Sequence, residues 1–523
     1  MKAGLFFSSC GGMLEQTIDL KSLADEFASQ VKTMVVGDFL DSKDISDIIR
    51  VVREEKLDAV VLAGNSPEEY TDSRQGRLLV DMLEDVGINP NKIAYVNLKQ
   101  QVALVHRKDP VSQQKAVLLT RVALARIEEA HPVQMIRVAP RNTVAVLGKT
   151  VEGWLAAAQM LKRGLRVYLI GQTEEEMPPT LAPVKAFVEL NPKTHLMEGY
   201  KVIDVYGWAG DLTIKIKSNK DEITVDVGAI LVASNKRRED VEELRTILHL
   251  DTDQDSGLLV PLTMDSRMVE TIEEGIFIIP NLETLDMLMR VALADAASLA
   301  VINLLEQPEL LHKNLVSEVD ESKCGGCGTC VKTCSFQAST VDPVRRVSQI
   351  DLRRCKGCGN CVTSCPTGAR DLLTYPLAYL LKAVEILAEF GEKGEPKILA
   401  LLCEGCGYKS VDDAAQANME YSPNILPLGV RCGGAIDTQL ILEAFNRGFD
   451  GITICKCADG HCSNIVGNTD LDRRANLFRE ILRSRGINDD LLRIVDSGGR
   501  GDNYCVNTLV QLFEAVKSGE VTR

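Results

Sequence analysis

The placement of cysteine constrains this chain more than any other feature. Of its 523 residues, 16 are Cys. The first is Cys10 and the next is Cys324, so the other fifteen all lie in the C-terminal part, the last being Cys505. Disulfide scaffolds are short, secreted and stapled along their whole length; a long thiol-free stretch followed by a dense cluster is the opposite pattern. The thiols read as metal ligands in a reducing, cytoplasmic setting. The start, MKAGLFFSSCGG, reads as a first strand running into a glycine turn and not as a signal peptide. No run is expected to reach the roughly 18 apolar residues of a membrane span. A formal charge of −15 argues against nucleic acid as the main partner, because phosphate tracking needs a basic surface. At about 100–200 residues per domain, the length implies three or four domains.

The hydrophobic pattern predicts an α/β multidomain chain. In residues 1–135 the runs GLFF, TMVVGD and DAVVLAG alternate with helical stretches at Met13–Gln30, Ser46–Glu55, Gln75–Val86 and Ser112–Ala130, the wiring of parallel strands with crossover helices. Residues 142–306 begin again with a strand at Thr143–Leu147, a helix at Val151–Arg163 and a strand at Arg166–Ile170, a Rossmann-like start. Leu212–Ile216, Glu222–Val227 and Ile230–Val232 follow and are expected to be antiparallel. A strand at Gly275–Ile279 and an Ala-rich helix at Leu285–Leu305 close the domain. Residues 314–375 hold eight cysteines. Residues 376–523 form a last α/β domain with strands at Ile398–Leu402, Ile425–Leu428 and Ile452–Cys455 and a final helix near Val506–Lys517.

Residues 314–375 carry the strongest motif. Cys324, Cys327, Cys330 and Cys334 are spaced x2, x2, x3; Cys355, Cys358, Cys361 and Cys365 repeat the spacing, with Pro366 after the last. This is the spacing of the bacterial two-cluster ferredoxins, in which the fourth cysteine of each run ligates the other cluster. Cys324, Cys327, Cys330 and Cys365 are therefore expected to hold one [4Fe-4S] cluster, and Cys355, Cys358, Cys361 and Cys334 the second. Paired zinc ribbons would have two four-Cys units with long internal spacers, not tight triplets with a crossed fourth. Between Asp320 and Asp371 there are eight Lys/Arg against five Asp/Glu, a local reversal of charge that suits anionic clusters.

In the last domain, Cys403, Cys406, Cys432, Cys455, Cys457 and Cys462 fall at the ends of predicted strands or just after them, where the loops of an open parallel sheet converge. The runs LLCEGCGY, VRCGGAIDTQLILEAFNRGFDGI and CKCADGHCSNIVGN resemble the delta subunit of methyl-viologen-reducing hydrogenase over most of 397–520. The resemblance implies one [2Fe-2S] cluster and five matching cysteines, Cys403, Cys406, Cys432, Cys457 and Cys462, of which four are ligands. Zinc is the alternative metal. Cys455 and Cys505 read as buried thiols, and His461 as a neighbour of the ligands.

The upstream half resembles the A subunit of heterodisulfide reductase through SSCGG, LAGNSPEEY and NLKQQVALVHR. That family carries an N-terminal cluster domain, a flavin-binding domain and a ferredoxin segment. Ser8, Asp41, Asn65 and Val102 stand where the family's N-terminal cysteines are expected, so no N-terminal cluster is expected. The flavin fingerprint appears as Gly148-Lys149-Thr150-Val151-Glu152-Gly153. Thr150 replaces the glycine that lets backbone approach pyrophosphate, and Glu152 sets a negative charge at the helix start. Gly171 and Gln172 replace the acidic ribose ligand, and Pro280-Asn281 a later flavin contact. FAD is not expected, although Gly148, Lys149 and Gly153 leave a degenerate nucleotide site.

The resemblances imply an iron–sulfur electron-transfer subunit of an anaerobic multi-subunit oxidoreductase, with substrate chemistry on partner subunits. The implied partners are B/C-like subunits of heterodisulfide reductase and a hydrogenase or formate dehydrogenase. The alternatives are an FAD-containing electron-bifurcating subunit and a zinc-bearing scaffold.

Overall fold

The computed structural model describes residues 1–106, 108, 110–173, 176–233, 238–248, 250, 259, 269–271, 273–280, 286–391, 394–498, 501 and 503–522. They form two compact units, Met1–Gln134 together with Leu315–Arg523, and Met135–Asn314.

The first unit holds two four-stranded parallel sheets. One is built from Ala3–Ser8, Lys32–Val36, Ala59–Gly64 and Ile93–Asn97, in the spatial order second, first, third, fourth. The other is built from Ile398–Cys403, Ile425–Val430, Gly451–Cys457 and Leu492–Ser497 in the same order. The central strands are buried along their whole length, as parallel strands covered on both faces must be. The sheets are a structural repeat, and register fixes the correspondence. Ser8 pairs with Val36 as Cys403 pairs with Val430, and Phe7 with Ala63 as Leu402 with Cys455. Both fourth strands, absent from the predicted set, follow a Gly-Ile-Asn sequence. Gly87 and Gly486 turn the chain at φ 99° and 75°, where an L side chain would be strained. Asn89 and Asn488 then cap a short turn by accepting from Asn91 N and Asp490 N.

The two sheets share one core. Leu119 and Ala123 of the helix Pro110–Glu129, and Ala383 and Leu387 of the helix Leu377–Ala388, are buried with Phe7, Val61, Leu399 and Leu401. A polar seam crosses it. The Asp412 carboxylate accepts from Ser66 Oγ at 2.5 Å and from Asn97 Nδ2 at 2.9 Å, and burial pushes its pKa up to about 8. The predicted helix Met13–Gln30 is split: Leu14–Gln16 is a single 3-10 turn, and Asp19 caps a new helix, Leu20–Phe27, by accepting from Ser22 N. Between the sheets in sequence, two small antiparallel ladders, Ser317–Val319 with Arg370–Leu372 and Ser339–Val341 with Ser348–Ile350, carry the eight-cysteine segment.

The second unit is a five-stranded parallel sheet in the order Ile276–Ile278, Ala229–Val232, Thr143–Lys149, Arg166–Thr173, Thr194–Met197. It is joined to an antiparallel sheet of Lys201–Trp208, Asp211–Lys217 and Glu222–Val227. This corrects one expectation, since Ala229–Val232 is parallel to Thr143–Lys149 and not part of the antiparallel set. The chain changes sheets at Gly228, where a Cβ would meet Arg141 O at 2.3 Å, and all four residues that follow are buried. A second correction concerns membranes. The helix Met287–Leu305 is long and apolar enough to cross one. In this fold its inner face, Leu293, Ala297, Val301 and Leu305, packs into the core, while Arg290 pairs with Glu152 and Asp295 with Gln159.

Candidate metal centres

The x2 spacings wrap each run of cysteines around a turn, with Gly328 and Gly359 at φ 76° and 87° opening the short helices Thr329–Thr333 and Asn360–Thr363. Cys334, Cys355, Cys358 and Cys361 line one cavity with Ser317 and Arg370. The fourth cysteine of the first run thus sits with the first three of the second. Burial raises Cys355 and Cys361 and pushes Cys358 up to about 12; the Arg370 charge opposes the rise at Cys355 and Cys361. At the other end of the segment, Cys365 is near enough to Cys327 for its charge to oppose the fall of the Cys327 pKa. Ser348 N donates to Cys324 Sγ at 3.3 Å, and Ser348 Oγ lies 3.2 Å from Cys330 Sγ. Cys327 is exposed and hydrogen-bonds the Thr329 hydroxyl, which lowers its pKa.

In the last domain, all five sequence-matched cysteines converge. Cys403, Cys406, Cys432, Cys457 and Cys462 form one buried cluster at the C-terminal edge of the sheet. Sγ atoms of Cys403, Cys406 and Cys457 lie within 4.8 Å of one another, and Cys403 and Cys457 are 3.9 Å apart. Two thiols are held well below their usual range by neighbours that hydrogen-bond to them: Cys403 by Cys406, Cys432 and Cys457, and Cys462 by Cys432 and Cys457. The three neighbours are raised in turn. Such a set has the donor chemistry that suits a soft metal. Glycine is needed beside it: a Cβ at Gly407 would meet Cys455 O at 2.6 Å, and one at Gly467 would meet Cys432 Sγ at 2.5 Å. Cys455 and Cys505 pack together in a separate apolar cluster, and His461 is exposed.

Cations that no sequence motif singles out surround this site. Arg431 donates to Glu404, which also accepts from the Tyr375 hydroxyl. Lys456, almost fully buried, pairs with Asp472 and Asp496. Arg474 Nη2 donates to the carbonyls of Gly433 and Gly434 at 3.4 and 3.0 Å. Their sequence signal is weak, because isolated Arg and Lys residues between cysteines read as solvated surface.

The two cysteine sites meet at a glycine seam. Thr363 Oγ1 donates to Gly434 O at 3.0 Å. A Cβ on Gly434 would fall 2.0 Å from Asn360 Oδ1, and one on Gly359 would fall 2.5 Å from Ala435 Cβ. Asn360 lies between Cys358 and Cys361, and Gly434 lies two residues after Cys432.

The repeat gives the N-terminal sheet an equivalent site with different chemistry. By register, Ser8 corresponds to Cys403, Asp38 to Cys432 and Asn65 to Cys457. Cys10 Sγ bonds Asn65 Oδ1 at 2.7 Å, while Asn65 Nδ2, Lys99 and Gln100 bind Glu69. Of the residues that the sequence resemblance sets at cysteine positions of the family, Asp41 caps the helix Ser42–Glu55 and Val102 lies buried in the core.

In the second unit, Gly148, Lys149 and Gly153 come together at the strand end. A Cβ on Gly153 would meet Gly148 O at 2.5 Å, so the close helix–strand contact of a nucleotide fold is retained. The phosphate position is not. Thr150 Oγ1 accepts from Gly153 N, the buried Lys149 pairs with Glu198, and Glu152 holds Arg290 in a bidentate pair. These residues do not fit a dinucleotide pyrophosphate. A cavity does open beside Gly148, lined by Gly171, Gln172, Tyr200, Lys201 and Lys217. Of Pro280-Asn281, Asn281 lies outside the described residues.

The two cysteine sites together have the make-up of an iron–sulfur protein. Comparison narrows this. The model of the methyl-viologen-reducing hydrogenase delta subunit matches residues 398–518, and that of the 4Fe-4S dicluster domain matches 323–369. The D-type iron–sulfur subunit of an F420-non-reducing hydrogenase from Methanococcus voltae is 36% identical over 128 residues, covering 24% of this chain and 88% of that protein. The A-type subunit of the ferredoxin:CoB-CoM heterodisulfide reductase of Methanosarcina mazei is 32% identical over 229 residues, 43% of this chain but only 28% of that protein's length. Thioredoxin reductase from Giardia duodenalis is matched over 58% of this chain at 12% identity and a TM-score of 0.17, too slight a likeness to bear on the fold. The chain belongs, through its C-terminal domain, to the family of hydrogenase iron–sulfur (delta) subunits, here fused to a portion related to the A-type subunit of heterodisulfide reductase.

Proposed function

We propose that this chain relays electrons, one at a time, between a hydrogenase- or formate-dehydrogenase-type module and a heterodisulfide-reductase-like module in the cytoplasm, and that substrate chemistry occurs on those partners. Cys403, Cys406, Cys432, Cys457 and Cys462 supply the four ligands of a [2Fe-2S] centre and one further thiol. Cys334, Cys355, Cys358 and Cys361 hold one [4Fe-4S] cluster, and Cys324, Cys327, Cys330 and Cys365 hold the other. The iron–sulfur groups supply the redox chemistry; the chain supplies their spacing, burial and hydrogen bonds.

The observation that carries this reading is the glycine seam, which brings the loop holding Cys358 and Cys361 against the loop holding Cys432. It favours a linear order: C-terminal centre, inner cubane, then the cubane of the exposed Cys327, in either direction. The N-terminal sheet serves as scaffold, since its equivalent site offers one thiol.

Anaerobic co-purification tests the reading. A stoichiometric redox subunit that reduces or oxidises the chain's clusters supports it, and clusters inert to every co-purifying subunit contradict it. The second reading, an FAD-containing bifurcating subunit, draws on the cavity beside Gly148. The blocked pyrophosphate position opposes it, and a stoichiometric flavin spectrum would reinstate it.

A further inference from the structure

Among the described residues, Arg370 is a buried cation without a counter-charge. It is 3% exposed and lines the cavity of Cys334, Cys355, Cys358 and Cys361. Its Nη2 donates to Ser339 Oγ, while Nε and Nη1 have no hydrogen-bond partner among the described residues. No carboxylate pairs with it among those residues either. A guanidinium removed from water and left with two idle donors is costly unless an anion answers it. The register of its strand explains the placement. Arg370 is opposite Val319 in the ladder with Ser317–Val319, and Ser317 Oγ is itself 3.5 Å from Cys361 Sγ. Leu372, two residues on, is also buried. Among the described residues, the Lys and Arg beside the other four cysteines are exposed: Lys323 is paired with Asp320 and Arg345 with Glu321, and Lys332 and Arg346 are exposed as well.

Resting on the ligand assignment above, we propose that Arg370 is a positioning residue that donates charge-assisted hydrogen bonds to the sulfur atoms of the inner cubane and so raises its reduction potential above that of the outer one. Adding one electron makes a four-thiolate cluster more negative by one charge, and a fixed adjacent cation stabilises the reduced form more than the oxidised form. The inner position then becomes the resting place of an electron shared between the two cubanes. A planar fork with rigid donors does this at fixed geometry, which an ammonium does less well.

The test is an EPR-monitored redox titration of the full chain, loaded with iron and sulfide, comparing wild type with Arg370→Gln and Arg370→Lys. Arg370→Gln is expected to lower one cubane potential by at least tenfold in its reduction equilibrium, about 59 mV for a one-electron couple. The other cubane and the C-terminal centre should not move. Arg370→Lys should give a smaller shift of the same cubane. If Arg370→Gln fails to assemble that cubane, Arg370→Lys still reports its potential. Unchanged potentials in a fully loaded variant overturn the assignment, as does an equal shift of both cubanes. A wild-type chain that binds no second cubane would instead overturn the ligand assignment on which this rests, and iron analysis of wild type separates the two failures.

Discussion

Adding a single methyl group at Gly359 tests whether the seam between the two cysteine sites matters. Gly359 sits at φ 87°, where an L residue costs about 1–2 kcal/mol. Its new Cβ would lie 2.5 Å from Ala435 Cβ and 2.8 Å from Ala435 Cα, and overpacking of that kind adds about 1–3 kcal/mol. Gly359→Ala is therefore expected to cost about 2–5 kcal/mol and to push the Cys358–Cys361 loop away from the Gly433–Ala435 loop. Gly448→Ala is the control. It has φ 93° with no heavy atom within 4 Å of its Cβ, so only the backbone cost of about 1–2 kcal/mol applies. Thermal unfolding gives the stability, and stopped-flow reduction of the cubanes through the C-terminal centre gives the transfer rate. The seam variant should lose more stability than the control and should also slow transfer, while the control transfers at the wild-type rate. Matching behaviour of the two variants in both assays would refute the role given to the seam.

Other outcomes follow from the same geometry. Since only one of the five clustered cysteines is spare, the double variant Cys403→Ser/Cys457→Ser removes at least one ligand and should abolish the C-terminal centre by EPR while leaving both cubanes; Cys10→Ser should leave total iron unchanged. Asp412 has a raised folded pKa of about 8, so it contributes stability below about pH 4 that is lost as pH rises through about 8. Asp412→Asn should flatten that part of the stability–pH profile and gain up to several kcal/mol at pH 8 and above, read by denaturant melts across pH. Purified protein should show no stoichiometric flavin absorbance, because Glu152 and Thr150 occupy the helix start that a pyrophosphate would need.

The grouping of Cys334 with Cys355, Cys358 and Cys361 is legible in the sequence because spacing is a local property of the chain: x2 steps wrap one centre, and the crossed fourth cysteine follows from the repeat. The convergence of Cys403, Cys406, Cys432, Cys457 and Cys462 is legible only through strand ends in a parallel sheet and a family resemblance. The duplication of the sheets is harder to see. It is carried by register and by the short strands Ile93–Asn97 and Leu492–Ser497, whose polar approaches, Asn89–Lys92 and Asn488–Asp490, read as loops. The counterpart of Cys432 within the repeat, Asp38, is hidden for a related reason, since only the pairing of Ser8 with Val36 identifies it. Arg370 carries no local signal at all, because its meaning lies in two unanswered donors inside a cavity. That the helix Met287–Leu305 is long and apolar enough to cross a membrane likewise escapes notice in the sequence, because Arg290 and Asp295 interrupt its apolar run.

The most direct measurement of the central claim is Mössbauer spectroscopy with iron and zinc analysis on the anaerobically purified full-length chain. About ten irons per chain are predicted, eight in two cubanes and two in a thiolate-ligated [2Fe-2S] centre. Zinc at the C-terminal cysteines, or iron limited to the two cubanes, would contradict a three-centre relay.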